Sequence, residues 1–288
     1  MNKIALFILL ICPLIAFGQE QITVSIQERP SSQGIQPAFE VEVPQATAND
    51  AISILERTLA PRGLFGIFSK NPRLVQEKDE WIMRDVEVKK ISAQALNVYA
   101  QVSAFPERIF IKIFFQEGGV FIGSKESGGA TVEDATRFVR DYALAVYRDA
   151  VEKELHGEEN NLRALERDLR KMGRQQNSND RKISNMRSDN QDMRSEIRDY
   201  EMRLQRKELF DASGNEAQGM LEQHEADAKK LRKDIRSNQK KINRNERRIN
   251  KFERQGNRNL REQGELMNTI DRQKIVVNEI KTKLQNIK

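Results

Sequence analysis

The spacing of apolar residues changes along this chain, and each change marks a different kind of structure. From Ile4 to Ile15 the sequence is almost unbroken apolar. Between residues 36 and 122 short stretches alternate apolar with polar, the two-residue period of a half-buried strand. Beyond Ala150 the period lengthens to 3.5 residues and persists to the C-terminal end, the pattern of a helix that buries one narrow seam.

In the alternating region, Ala38–Val43 reads as a strand ended by Pro44. Thr47 or Asn49 caps a helix that places Ala51, Ile52, Leu55 and Leu59 on one face, and Pro61-Arg62-Gly63 stops it. Leu64, Phe65, Ile67 and Phe68 follow as an apolar loop, expected to plug one end of a core. Residues 81–88, 96–102 and 109–115 predict three more strands. Ile82, Val86 and Val88 share one face of the first. Ile109, Ile111, Ile113 and Phe115 share one face of the last, with Phe110 and Phe114 turned the other way. Val120–Ile122 is a further short strand. Thr131 caps a long helix whose Phe138, Tyr142, Ala145 and Val146 lie against the sheet. The order β-α-β-β-β-α gives an α+β domain over residues 36–150, an antiparallel sheet with helices packed on one face. Residues 19–35 read as an extended tether holding at most a short strand at Ile22–Ile26.

The helical half has two registers. From Leu155, the first and fourth heptad positions run through Leu162, Leu165, Leu169, Ile183, Met186, Asn190, Ile197 and Leu204. From Leu221 they run through Ile235, Asn238, Ile242, Asn245, Ile249, Phe252, Gly256, Ile270, Val277, Ile280 and Leu284. Asp211-Ala212-Ser213-Gly214-Asn215 is the turn signal between them. Residues 151–288 therefore predict a long antiparallel α-helical coiled-coil hairpin with its turn at 211–215. Folding at Gly214 makes facing residue numbers sum to about 426, which sets Asn179 opposite Asn245 and Leu284 opposite Tyr142. Gly256 and Gly264 weaken the second arm, which leaves a kink or a folded-back bundle open as alternatives to a straight helix. A monomeric hairpin is favoured over a parallel dimer because a short connection makes antiparallel neighbours.

Charge separates the halves further. Residues 1–150 hold 16 Lys/Arg against 18 Asp/Glu, and residues 151–288 hold 33 against 25. The excess concentrates between Lys229 and Arg261, with 14 basic and three acidic residues. Lys229, Lys230, Arg232, Lys233, Arg236, Lys240, Lys241, Arg244, Arg247, Arg248, Lys251 and Arg254 are the candidate contacts for a polyanion or a protein partner. The alternative is a solvated face that keeps a coiled coil soluble. Phe252 is the one aromatic residue in that stretch, so a stacking platform for single-stranded nucleic acid is absent and no sequence-specific nucleic-acid partner is expected.

Residues 1–18 read as a secretory signal, with Lys3 before the apolar run and Ala16-Phe17-Gly18 as the cleavage site. The run is shorter than the roughly 20 residues that span a bilayer, so the cleaved protein is not expected to be an integral membrane protein. The expected location is periplasmic or secreted. The chain's single cysteine, Cys12, lies inside that signal, which leaves a mature protein without disulfide or thiolate chemistry.

Catalytic signatures are absent from the sequence: no phosphate-binding glycine loop, no nucleophile elbow and no HExxH helix. The two histidines, His156 and His224, are 68 positions apart. Carboxylate pairs such as Glu40/Glu42 and Asp85/Glu87 follow strand alternation, the pattern of a solvated sheet face. No enzyme activity, cofactor or metal is expected.

The run Ala38–Pro44, the segment Trp81-Ile82-Met83, the stretch Gly118–Lys125 and the trailing heptads resemble a group of uncharacterised exported bacterial proteins. The resemblance implies a small α+β unit joined to a helical stalk, and it implies no activity, cofactor or functional residue. Two functions follow as expectations. The first is a structural or interaction protein of the cell envelope, meeting another protein or an anionic envelope component. The alternative is a small-ligand-binding module that uses the sheet–helix domain.

Overall fold

The structure is a computed structural model that describes residues 22–60, 73–125, 127, 129–211 and 218–287. The N-terminal apolar run, the loop at Leu64–Phe68 and the turn signal around Gly214 lie outside the described residues. The chain divides into two compact units. One holds the residues up to Glu158 together with Val276–Lys288, and the other holds Glu159–Ile275.

The first unit is built on an antiparallel sheet. Its strands are β1 (Val24–Ser31), β2 (Gly34–Pro44), β3 (Val75–Glu77), β4 (Glu80–Glu87), β5 (Ala95–Phe105), β6 (Arg108–Glu117) and β7 (Val120–Phe121). They pair in the order β1-β2-β6-β5-β4-β3, with β7 joined to β6. Helix α1 (Ala48–Leu59) lies between β2 and β3 in the chain, and Thr47 caps it by accepting from the Asp50 backbone N–H at 3.2 Å.

One face of the sheet carries the main core. Phe39, Val41, Val43, Leu96, Val98, Ile111, Ile113 and Phe115 point there at two-residue spacing. Ala51, Ile52, Leu55 and Leu59 of α1 meet them, as their helical spacing predicts. So do Phe138, Val139, Tyr142, Ala143 and Val146 from the start of α2 (Gly129–Asp211). Ala145, expected in this stripe, is exposed, because the buried turns run through 135, 138/139, 142/143 and 146. Tyr142 donates its hydroxyl to the Ala51 carbonyl at 2.9 Å, and burial pushes its ionisation up. The end of α3 (Gln218–Asn286) closes the same core: Ile280 and Ile287 are buried in it, and Arg148 donates to the Ile287 carbonyl at 3.0 Å. The expected partner of Tyr142 was Leu284, so the C-terminal segment sits further along α2 than the turn at Gly214 implies.

Three strand expectations need correction. The segment expected as a tether is strand β1, in register with β2 from Val24 opposite Val41 to Ser31 opposite Gly34. It is an edge strand, where polar residues and Pro30 are tolerated, and that is why its sequence reads as a linker. In β4 the pairing slips between Met83 and Val86. The bulge puts Met83, Val86 and Val88 into the main core, and Ile82 goes to the opposite face. Asp85 sits in the bulge at φ 53°, and its N–H donates to Asn97 Oδ1 at 3.1 Å. The third is β3, which has three exposed residues and no alternation to announce it.

The opposite face carries a small second cluster of Ala38, Ile82, Tyr99, Phe114 and Phe121. The β1–β2 hairpin bends toward it. Buried Glu80 at the start of β4 accepts from the Ser32 N–H at 3.1 Å and from Gln101 Nε2 at 2.9 Å, and Gln101 also donates to the Pro30 carbonyl at 3.0 Å.

Candidate functional site

In the second unit α2 and α3 bury residues at the spacing the heptads predict. Asn179, Ile183, Met186, Asn190, Ile197 and Leu204 are buried on α2, and Asn238, Ile242, Ile249, Asn259 and Ile270 on α3. Side chains meet between the helices at several levels. Arg187 pairs with Glu253 at 2.7 Å and Arg194 with Glu246 at 2.9 Å. Asn245 donates to Asn190 Oδ1 at 2.9 Å, and Asn238 donates to Glu196 at 2.8 Å. Asn259 donates to the Met172 carbonyl at 2.9 Å. Numbers rise on one helix as they fall on the other.

The register differs from the one expected. Paired numbers sum to between 431 (Met172 with Asn259) and 440 (Arg187 with Glu253), not to 426. Asn245 therefore meets Asn190, and Asn179 comes level with Gly256. The helix runs on through both Gly256 and Gly264. Gly256 is buried where the Gln176 amide comes close, its Nε2 3.1 Å from where a Cβ would stand.

With the seam fixed, the outward face of α3 follows. Its heptads make Ile235, Ile242, Ile249 and Gly256 first positions, and the position directly opposite the seam is then occupied by Lys233, Lys240, Arg247 and Arg254 in succession. Arg261 continues the column one heptad on. Beside it, Lys230, Arg244, Lys251 and Arg258 fill the neighbouring column, broken at Ser237. From Lys240 to Arg261 a basic side chain recurs every three or four residues without interruption, and all of them are exposed.

The twelve candidate residues are exposed on α3 without exception. Lys233, Lys240, Arg244, Arg247, Lys251 and Arg254 form the central ridge. Lys229, Lys230 and Arg236 extend it sideways. Lys241 and Arg248 flank the seam, and Arg232 pairs with Glu208 at 3.1 Å. Among the described residues none of the other eleven makes an ion pair. Arg258 and Arg261 belong to the ridge as well. A strict seven-residue count from Lys233 finds Arg261, and the neighbouring column finds Arg258.

This arrangement costs helix stability. Six successive like-charge steps at three- or four-residue spacing lie between Lys240 and Arg261, each unfavourable by roughly 0.2–0.5 kcal/mol. The facing stretch of α2, residues 174–206, has eight Lys/Arg and six Asp/Glu and leaves the excess uncompensated. Three of its side chains, Arg187, Arg194 and Arg198, line a groove of about 590 Å³ with Asn190, Glu246 and Glu253. Two of those arginines are already spent on the two glutamates.

No protein-family model, no curated protein and no solved structure matches this chain.

Other chemistry is sparse. Among the described residues no group of three or more His, Cys, Asp or Glu is arranged to hold a metal ion. His156 is exposed on α2 and His224 half-buried on α3. No helix among the described residues is long and apolar enough to cross a membrane. The ion pairs of the sheet unit tie neighbouring elements: Arg29 with Glu40 at 2.6 Å across the β1–β2 hairpin, and Arg108 with Glu42 at 2.6 Å between β6 and β2. Asp50 at the head of α1 is bonded by Lys153 of α2 and by Thr47, and these bonds hold its carboxyl below the usual carboxylate range.

Proposed function

We propose that this chain is a non-enzymatic, exported structural or interaction protein of the cell envelope. In this reading α2 and α3 pair as an antiparallel coiled-coil hairpin that serves as spacer and docking surface. The outward face of α3 meets an anionic component of the envelope.

The observation that carries the reading is the ridge from Lys233 to Arg261. A solvated coiled-coil face normally mixes both signs, because alternating charges at three- and four-residue spacing stabilise the helix. Here one sign persists over four heptads, at a cost in helix stability. Polyanion attraction supplies a reason for keeping it. Export is supported by the charged, apolar and small-residue regions of residues 1–18, in that order.

The test is retention of the full chain on an immobilised sulfated polysaccharide. Wild type should elute well above physiological salt. A variant with Lys233→Gln, Lys240→Gln, Arg247→Gln and Arg254→Gln should elute at or below it. Equal elution of the two proteins would remove the ridge as a docking surface.

A further inference from the structure

The two outward ridges of the second unit are unequal, and that asymmetry points to the shape of the partner. On α3 the residues turned away from the seam are Lys233, Ser237, Lys240, Arg244, Arg247, Lys251, Arg254, Arg258 and Arg261, with a net charge of +8. On α2 the same construction from buried Ile183, Asn190 and Ile197 gives Arg174, Ser178, Arg181, Asn185, Ser188, Asp192, Ser195, Asp199 and Met202, with a net charge of 0. Every one of these side chains is exposed. The unit is thus basic along one side and neutral along the other.

We propose that the α3 ridge docks this chain lengthwise on the phosphate head groups of an anionic lipid bilayer. This rests on the reading of α3 as a polyanion-docking face and names the partner for it. A planar partner can meet the ridge along its whole length, about 42 Å for the 28 steps from Lys233 to Arg261 at 1.5 Å per residue, while the α2 side stays in solution. The contact is peripheral. Between the basic residues stand Ser237, Gln239, Asn243, Asn250, Gln255 and Asn257, which are polar and suited to head groups; of the apolar residues, Ile235, Ile242, Ile249 and Phe252 are buried or half-buried, and Leu260 alone is exposed. A helix that inserts into a bilayer needs the opposite arrangement. Duplex nucleic acid suits the geometry less well. Its major groove, about 12 Å wide, admits one helix and not a pair lying side by side. A single strand lacks aromatic residues to stack on.

The experiment is co-sedimentation of the full chain with vesicles of phosphatidylcholine containing phosphatidylglycerol, and with vesicles of phosphatidylcholine alone. Binding should require phosphatidylglycerol and be reversed by about 0.5 M salt, where the screening length falls to a few ångströms. The four-residue ridge variant should bind at least about a hundredfold more weakly, since each of the four basic residues near such a surface contributes separately. A control variant with Arg73→Gln, Lys78→Gln, Lys89→Gln and Lys90→Gln removes the same charge from the sheet unit and should bind as wild type. Circular dichroism of both variants checks that the helices remain. Failure of wild type to bind the vesicles, with ridge-dependent retention on the sulfated polysaccharide intact, would overturn the bilayer and leave the docking face. Loss of vesicle binding in the control variant to the same degree would overturn the ridge in favour of net charge. Binding of a DNA duplex as tight as the vesicles, and equally sensitive to the ridge variant, would replace the bilayer with nucleic acid.

Discussion

Asn190 on α2 and Asn245 on α3 meet in the seam between the two long helices, the amide of Asn245 donating to Asn190 Oδ1 at 2.9 Å. Each satisfies in the other a polar group that the apolar seam would leave unpaired. Replacing Asn245 with Leu alone should strand the buried Asn190 amide and destabilise the chain by about 1–3 kcal/mol. Replacing both with Leu should restore stability or exceed wild type, while loosening the choice of register. Thermal melts of the two single variants and the double variant check this. A double variant less stable than either single one would contradict it.

Gly256 and Gly264 lie on one helix and predict different responses. A Cβ at Gly264 meets nothing within 4 Å, so Gly264→Ala should gain the full helix-propensity difference, about 1 kcal/mol. A Cβ at Gly256 would stand 3.1 Å from Gln176 Nε2. That amide also donates to Asp180 at 3.1 Å, and its oxygen accepts from Asn259 at 3.3 Å, so it is not free to swing away. Gly256→Ala should therefore gain less than Gly264→Ala, or lose stability. Chemical denaturation of both variants decides it.

Tyr142 carries one hydrogen bond in a dry place. Tyr142→Phe removes the donor to the Ala51 carbonyl and leaves that carbonyl without its side-chain partner in the core. The expected loss is about 1–3 kcal/mol. The fall should appear in the denaturation midpoint with the slope unchanged, because the surface exposed on unfolding is the same.

Asp50 predicts an acid-side dependence. Its folded pKa is lowered, first by the Lys153 hydrogen bond and next by that of Thr47. A lowered carboxyl pKa stabilises the fold above the unfolded value and loses that contribution as pH falls through the folded one. The pKa of Lys153 is raised by Asp50 and Asp149, so its share is complete below the ordinary lysine range and disappears only in strong alkali. Wild type should therefore exceed Asp50→Asn in stability near neutral pH, and the gap should close as pH drops below about 4. A gap that stays constant into acid would show that Asp50 acts only as a neutral cap.

The strands that line the core were legible because one face of each is buried. Ile109, Ile111, Ile113 and Phe115 cannot alternate as they do and belong elsewhere. The spacing of the buried positions on the two long helices was legible for the same reason. Features set by pairing and not by burial were hidden. Edge strand β1 buries little, so Arg29, Pro30 and Ser31 look like a linker. The bulge at Asp85 depends on Asn97, twelve residues away, and no local pattern announces it. The helix register failed for a different reason. Asn179 and Asn190 on one helix match Asn238, Asn245 and Asn259 on the other in more than one alignment, and the choice among them depends on the length of the connection. The basic ridge was legible as charge, but its single-sidedness required knowing which residues the seam buries.

The central claim is that α3 presents its ridge to an anionic surface while α2 faces away. Ser237 and Ser195 stand on the two outward ridges at nearly the same level of the pair. With Cys12→Ser removing the one native thiol, a fluorophore can be attached through Ser237→Cys in one protein and Ser195→Cys in another. Energy transfer to a head-group dye in phosphatidylglycerol vesicles should be clearly stronger from position 237 than from 195, and salt should abolish both. Equal transfer from the two positions, or stronger transfer from 195, would contradict the account.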